Sequence, residues 1–415
     1  MDLTATADDI AAARRLLAEV AVHTPLQANR RLSTRTGGQV WLKREDLQVV
    51  RSYKIRGAYN FIAGLPEPQR ERSVVCASAG NHAQGVALAC SLLGVRGRIF
   101  VPGTTPRQKR ERITDLGGDA VEVIVTGNTY EDAYAAAIVD GRRTGATLVP
   151  AFDHPATIAG QGTIAAEIVN DLGGPPDVLV VPVGGGGLLA GVAAWMRTHH
   201  PETHIVAVEP AGAASLAHAL EHGGPVPLDQ VDTFVDGAAV RTIGDVTYPL
   251  LAAAGLECVA VDEGQVCTEM LELYQSDGVI AEPAGALATA ALAGLDIRPN
   301  ARVVCLVSGG NNDVSRYAEV IERSLIHRGL KHYFLVSFPQ EPGALRRFLD
   351  EVLSPDDDIT LFEYVKRNNR ETGPALIGLE IARAEDVDGL RQRLDSSPLD
   401  YEWMEPGSTL FRYLV

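Results

Sequence analysis

Apolar positions in this chain fall into two kinds of pattern. From about residue 38 to 328 a continuous apolar run repeatedly leads through a glycine-containing turn into an Ala/Leu-rich stretch. RSVVCAS runs into AGNHAQGVALACSLLG (72–94), DVLVVPV into GGGGLLAGVAAWMR (177–197), and RVVCLVS into GGNNDVSRYAEVIERSL (302–325). A strand without polar alternation is covered on both faces, which is the condition of a parallel sheet flanked by helices. The expected fold class is therefore α/β, with two lobes of parallel sheet. In such sheets ligands bind beyond the carboxyl ends of the strands, where these glycine turns fall.

The pattern changes after His327-Arg328-Gly329. KHYFLVSF (331–338) is followed by Pro342-Gly343 and a helix in which Leu345, Phe348, Leu349, Val352 and Leu353 share one apolar face. ITLFEYVKR (359–367), a turn at 368–374, ALIGLEI (375–381), a second helix near 384–395 and a closing strand near 408–415 complete the order βαββαβ. This order describes a small α+β, ferredoxin-like module. It holds no catalytic cluster, so regulation or assembly is its expected role. The domains are expected to be 1–328 and 329–415. The opening MDLTATADDIAAARRLLAEV reads as an amphipathic helix, with early acids where a signal peptide would carry basic residues.

Length and composition narrow the function. A chain of 415 residues exceeds one hydrophobic core, and 46% hydrophobic with 22% charged residues is the composition of a folded protein. The net charge of −16 repels nucleic acid and anionic lipid, so neither is an expected partner. Five cysteines, Cys76, Cys90, Cys258, Cys267 and Cys305, show no C-x-x-C spacing and fit a reducing cytoplasm. No run reaches membrane-spanning length.

Only five lysines stand against 32 arginines, so a retained lysine is informative. Lys54, in RSYKIRGAY before a helix, can become a neutral nucleophile that forms an imine, which arginine cannot. Gly184, Gly185, Gly186 and Gly187 lie between a strand and a helix, where bare backbone N–H groups and a helix N-terminus make a phosphate cradle. The same segment also matches a dinucleotide fingerprint, Gly185-x-Gly187-x-x-Ala190, with Glu209 spaced as a ribose-binding acid. Two more polar turns follow strands: Ser78-Ala79-Gly80-Asn81-His82, with an amide for a phenolic oxygen, and Ser308-Gly309-Gly310-Asn311, with a hydroxyl for a ring nitrogen. Singly, a surface lysine, a linker, a helix cap and a turn explain each feature; together they favour a pyridoxal 5′-phosphate site. A nicotinamide-dependent oxidoreductase stays open as the rival, and a non-enzymatic amino-acid sensor is more distant.

SYKIRGAY, SAGNHAQG, VGGGGL and SGGNN, in this order, resemble the tryptophan-synthase-β type of pyridoxal-phosphate enzymes, and within it the threonine dehydratase branch. The resemblance covers about residues 5–328. YFLVSFPQEPGAL and DDITLFEYVKRNN extend it, resembling the ACT-like regulatory domain of biosynthetic threonine dehydratases. It implies that Lys54 carries the cofactor as an imine, Asn81 bonds its 3′-oxygen, Gly184 to Leu188 hold its phosphate and Ser308 meets its ring nitrogen. Ser78, Ala79, Gly80, His82 and Glu282 are implied around the substrate. The implied reaction is deamination of L-threonine to 2-oxobutanoate and ammonia, the first step of isoleucine biosynthesis. L-serine is an implied slower substrate, isoleucine an inhibitor and a homotetramer the assembly. Two departures stand out. Ala79 occupies the place of a serine in related serine racemases, which predicts little racemisation. Ser215 replaces an aspartate that, with residues at Glu209 and Ala213, holds a divalent ion in those relatives, so a divalent ion is not expected there and any ion held would be monovalent.

Overall fold

The computed structural model describes residues 5–366, 369–405, 408 and 411. The chain forms two compact units, Met1–Glu263 with Glu272–Asp313, and Gly264–Leu271 with Val314–Val415.

The first unit is built on two sheets. Six strands lie in the order Leu26–Ala28, Gln39–Arg44, Arg302–Val307, Val178–Pro182, His204–Pro210 and Glu257–Val261. All neighbours are parallel except the short edge strand Leu26–Ala28, which pairs antiparallel with Gln39–Arg44. The second sheet, in the order Val121–Val125, Gly97–Val101, Val74–Ala77 and Thr147–Leu148, is wholly parallel. The continuous apolar runs are buried as two-sided strands: Leu179, Val181, Ile205 and Leu306 join one core, and Val74, Cys76, Ile99 and Val101 another. The N-terminal helix Ala7–Leu17 is fixed at its start by a reciprocal cap, in which Asp9 N–H donates to Thr6 Oγ1 and Thr6 N–H to Asp9 Oδ2.

Helix Pro155–Leu172 packs against both Lys54–Ala63 and Gly187–His199. The contacts are made at backbone distance. A side chain at Gly160 would strike the Arg56 carbonyl, and one at Gly191 the Ile158 carbonyl. One nearly buried helix therefore sets the spacing between the lysine-bearing helix and the helix behind the glycine run.

In the second unit, strands lie in the order Asp358–Tyr364, Thr372–Glu380, Lys331–Pro339 and Asp400–Trp403, all antiparallel. Helices Ala344–Glu351 and Val387–Ser396 follow the first and third strands along the chain, giving the βαββαβ order. Two expectations need correction. The fourth strand is Asp400–Trp403, whereas most of the expected strand at 408–415 lies outside the described residues. The helix from Ala344 buries Ala344, Phe348 and Val352, a strict i, i+4, i+8 stripe, but leaves Leu345 43% and Leu349 40% exposed. Sequence spacing placed these two on the apolar face, yet they sit one position round the helix from the stripe that meets the sheet.

Candidate active site

The lysine is placed by a loop bound to a strand end. Strand Gln39–Arg44 passes through the short turn Glu45–Leu47, and Arg51 takes a left-handed conformation (φ 55°). The turned chain then binds the end of strand Arg302–Val307: Gly310 N–H donates to Arg51 O at 2.9 Å and Tyr53 N–H to Ser308 O at 3.2 Å. Lys54 is the first residue of helix Lys54–Ala63 and half-buried; its Nζ donates to Ala151 O at 3.0 Å. Gly85 lets helix Asn81–Leu93 press on it, since a side chain there would crowd the Lys54 carbonyl.

The glycine run follows strand Val178–Pro182 and opens helix Gly187–His199. Among the described residues, the N–H groups of Gly184, Gly185 and Gly186 meet no backbone carbonyl. Gly186 has φ 89°, a region closed to most side chains, and a side chain at Gly185 would run into the Phe152 ring. Lys54, Phe152 and Gly184 to Leu188 line a single cavity, with Gly237 on its wall. Free amides at a helix N-terminus attract a phosphate, and a primary amine in the same cavity suits an aldehyde. This donor set fits pyridoxal phosphate.

Gly237 joins that cavity to a polar cluster, because a side chain there would come within 3.5 Å of Glu282 Oε1 and 4.0 Å of Asn81 Nδ2. Asn81 Nδ2 donates to Glu282 Oε1 at 2.5 Å, and Asn311 Nδ2 donates to Asn81 Oδ1 at 2.5 Å. Burial pushes the Glu282 carboxyl up to about 7, with Asp236 adding to the rise and Asn81, Lys109 and the Asn311 amide opposing it. Ser308 is buried, and its hydroxyl donates to Ala284 O at 3.1 Å. Ser78 Oγ accepts from Gly80 N–H at 3.2 Å, Ala79 is half-buried, and the space beside Gly80 is open. His82 is buried, with Nε2 3.0 Å from Val149 O, so that nitrogen carries the proton and donates. Burial, with the charge of Lys54, holds the imidazole down at about 3, leaving it neutral and bound to the backbone.

Several residues that shape the site carried no sequence signal. Ala151 and Phe152 meet the lysine and the glycine run, but AFDHP has neither glycine nor a regular pattern. Asp153 accepts the N–H groups of Asp245, Val246 and Thr247, and Thr247 Oγ1 donates to Gly185 O at 2.9 Å. Behind the lysine, Arg56 is 1% exposed and gripped by Glu45 and Glu167, and Lys43 meets Glu167 Oε2 at 2.8 Å. Nothing in the sequence marked this cluster.

Glu209 and Ala213 are not among the residues lining the cavity. Glu209 is buried and accepts the N–H groups of Leu216 and Ala217 at 2.7 and 3.0 Å, capping helix Ser215–His222. Burial lifts its carboxyl to about 7 against those amides. Both oxygens thus serve the start of that helix rather than the cavity that the glycine run lines.

Comparison with known proteins agrees with this geometry. The model of the family described as "Pyridoxal-phosphate dependent enzyme" matches residues 17–309, and that of the "C-terminal regulatory domain of Threonine dehydratase" matches residues 322–414. The chain is 60% identical over 409 residues to the biosynthetic L-threonine dehydratase IlvA of Mycobacterium tuberculosis, covering 98% of this chain and 95% of that protein. It is 50% identical over 398 residues to the Bacillus subtilis protein of the same name, covering 96% and 94%. Among solved structures, the processed form of threonine deaminase isoform 2 from Solanum lycopersicum aligns with a TM-score of 0.73 at 37% identity, covering 77% of this chain and 93% of that one. Maize serine racemase aligns with a TM-score of 0.72 at 30% identity, covering 78% and 99%. The cofactor of this chain is pyridoxal phosphate, and the chain belongs to the threonine dehydratase family of pyridoxal-phosphate-dependent enzymes.

Proposed function

We propose that this enzyme deaminates L-threonine to 2-oxobutanoate and ammonia, the step that opens isoleucine biosynthesis, and acts more slowly on L-serine. The observation that carries the reading is one cavity holding both the Lys54 amine and the glycine run. The 60% identical relatives named for threonine dehydration supply the substrate class. When bound, the cofactor supplies a carbonyl that condenses with an amine and a ring that accepts electrons. The chain does the rest. Gly184 to Leu188 hold the phosphate through their N–H groups, Asn81 bonds the 3′-oxygen and Ser308 meets the ring nitrogen. For that last contact the Ser308 hydroxyl would give up its bond to Ala284 O. Lys54 Nζ holds the cofactor, then takes the α-proton of the substrate. His82, neutral and bound to Val149, does not compete for that proton.

Ser78, Ala79 and Gly80 would border the substrate, and Ala79 offers no second acid on the opposite face. Racemisation is therefore expected to be weak. A monovalent ion at Glu209 and Ala213 would need only one carboxylate oxygen and a carbonyl. Residues 1–328 would form the catalytic domain and 329–415 the regulatory one, binding isoleucine. The expected assembly is a homotetramer in the cytoplasm, the latter supported by five cysteines without C-x-x-C spacing.

The test is ketoacid release from threonine, with and without isoleucine. Steady 2-oxobutanoate formation suppressed by isoleucine is expected. A product that forms only when a second nucleophile is added would replace this reading with β-replacement.

A further inference from the structure

Glu282 stands at the start of helix Pro283–Ala291, where a carboxylate ordinarily accepts the free N–H groups of the first turn. It makes no such bond. Only 5% exposed, its carboxylate turns away from its own helix, with Oε1 on Asn81 Nδ2 at 2.5 Å and Oε2 on the Asn311 N–H at 3.1 Å. Burying a carboxylate is costly, so a helix cap does not explain it.

The bonds around Asn81 decide how its amide faces. Asn311 Nδ2 is fixed by Val50 O at 2.8 Å and donates to Asn81 Oδ1. Glu282 can only accept when ionised, so it demands the NH2 side of Asn81. A flipped amide would set oxygen against carboxylate and N–H against N–H. In the orientation held, one of the two Nδ2 protons goes to Glu282 and the other remains for a ligand.

We infer that Glu282 is a positioning residue for the cofactor, acting through Asn81 to hold one amide N–H ready for the phenolic oxygen of the pyridoxal ring. The inference rests on the pyridoxal reading above. The groups facing Glu282 are Asn81 and Asn311, with Asp236 and Lys109, which pair with each other at 3.1 Å. Because burial brings the Glu282 carboxyl up to about 7, its grip on Asn81 is charge-assisted above that pH and weakens as pH falls through it.

The test titrates apoprotein with pyridoxal phosphate and reads the absorbance of the bound cofactor. E282Q is expected to raise the dissociation constant about tenfold at pH 8, the scale of one charge-assisted hydrogen bond, and roughly threefold or less at pH 6. N81A should lose a similar factor, and E282Q/N81A should bind no more weakly than N81A, since the first residue acts through the second. An E282Q constant within twofold of the unmodified chain at pH 8, or losses that multiply in the double variant, overturns the inference. If E282Q does not fold, N311A decides by the same criteria, because it removes the opposite anchor of the same amide. An unmodified chain that shows no cofactor band fixed by borohydride overturns the pyridoxal reading itself, and this inference with it.

Discussion

In the proposed reaction Lys54 has a part that arginine cannot take, because an amine can lose its proton and form an imine. K54A is accordingly expected to lose at least about a hundredfold in ketoacid release and the borohydride-fixed cofactor band. Gly185 is constrained differently: any side chain would meet the Phe152 ring. G185A should cost about 1–3 kcal/mol of folding stability, the usual cost of overpacking, read by chemical denaturation, and should weaken cofactor binding in a titration of apoprotein. At Ala79 the expectation runs towards a gain. A79S should add measurable racemisation of serine, read by chiral separation, and its absence would show that a hydroxyl here does not reach the substrate.

At the scale of elements, the helix that begins at Lys54 is held from behind by a buried ionic cluster. Arg56 donates to Glu45 through Nε and Nη2, both at 2.9 Å, and to Glu167 through Nη1 at 2.6 Å. Burial works to raise the Glu45 carboxyl, but the charge and hydrogen bonds of Arg56, with Thr24 and Lys43, overcome it and hold the carboxyl below its ordinary range. A depressed carboxyl contributes stability that is fully present above its unfolded value of about 4.3 and is lost as pH falls through the folded value. E45Q leaves Arg56 with one carboxylate and is expected to cost about 3–5 kcal/mol at pH 7. Its denaturation midpoint should also change less than that of the unmodified chain on going to low pH. Equal acid dependence in the two proteins would remove Glu45 from this account.

For the whole molecule, the proposed control by isoleucine requires the effector to bind two conformations unequally. Isoleucine should stabilise the full chain against heat as well as slow it. A variant ending before residue 331 should release ketoacid without responding to isoleucine, and an unchanged response would move the effector site out of the C-terminal unit. The sequence division at 328/329 differs from that of the compact units, where the second takes in Gly264–Leu271 and begins again at Val314. The change of pattern after His327-Arg328-Gly329 lies just before the antiparallel sheet that begins at Lys331.

The chain's own order of residues determined the α/β class, the carboxyl-end glycine turns and the βαββαβ order of the tail, because burial on one or two faces and the demands of turns leave a local period. Partnerships across the fold leave none. Asn81 meets Glu282 from 201 positions away and Asn311 from 230, and Phe152 reaches the glycine run from a stretch with no pattern of its own. Likewise Leu345 and Leu349 satisfied an apolar period that the packed helix used only in part. Tertiary structure alone decided which polar groups would share a desolvated space, since that depends on how strands are ordered in a sheet, and neighbours in space are then far apart in sequence.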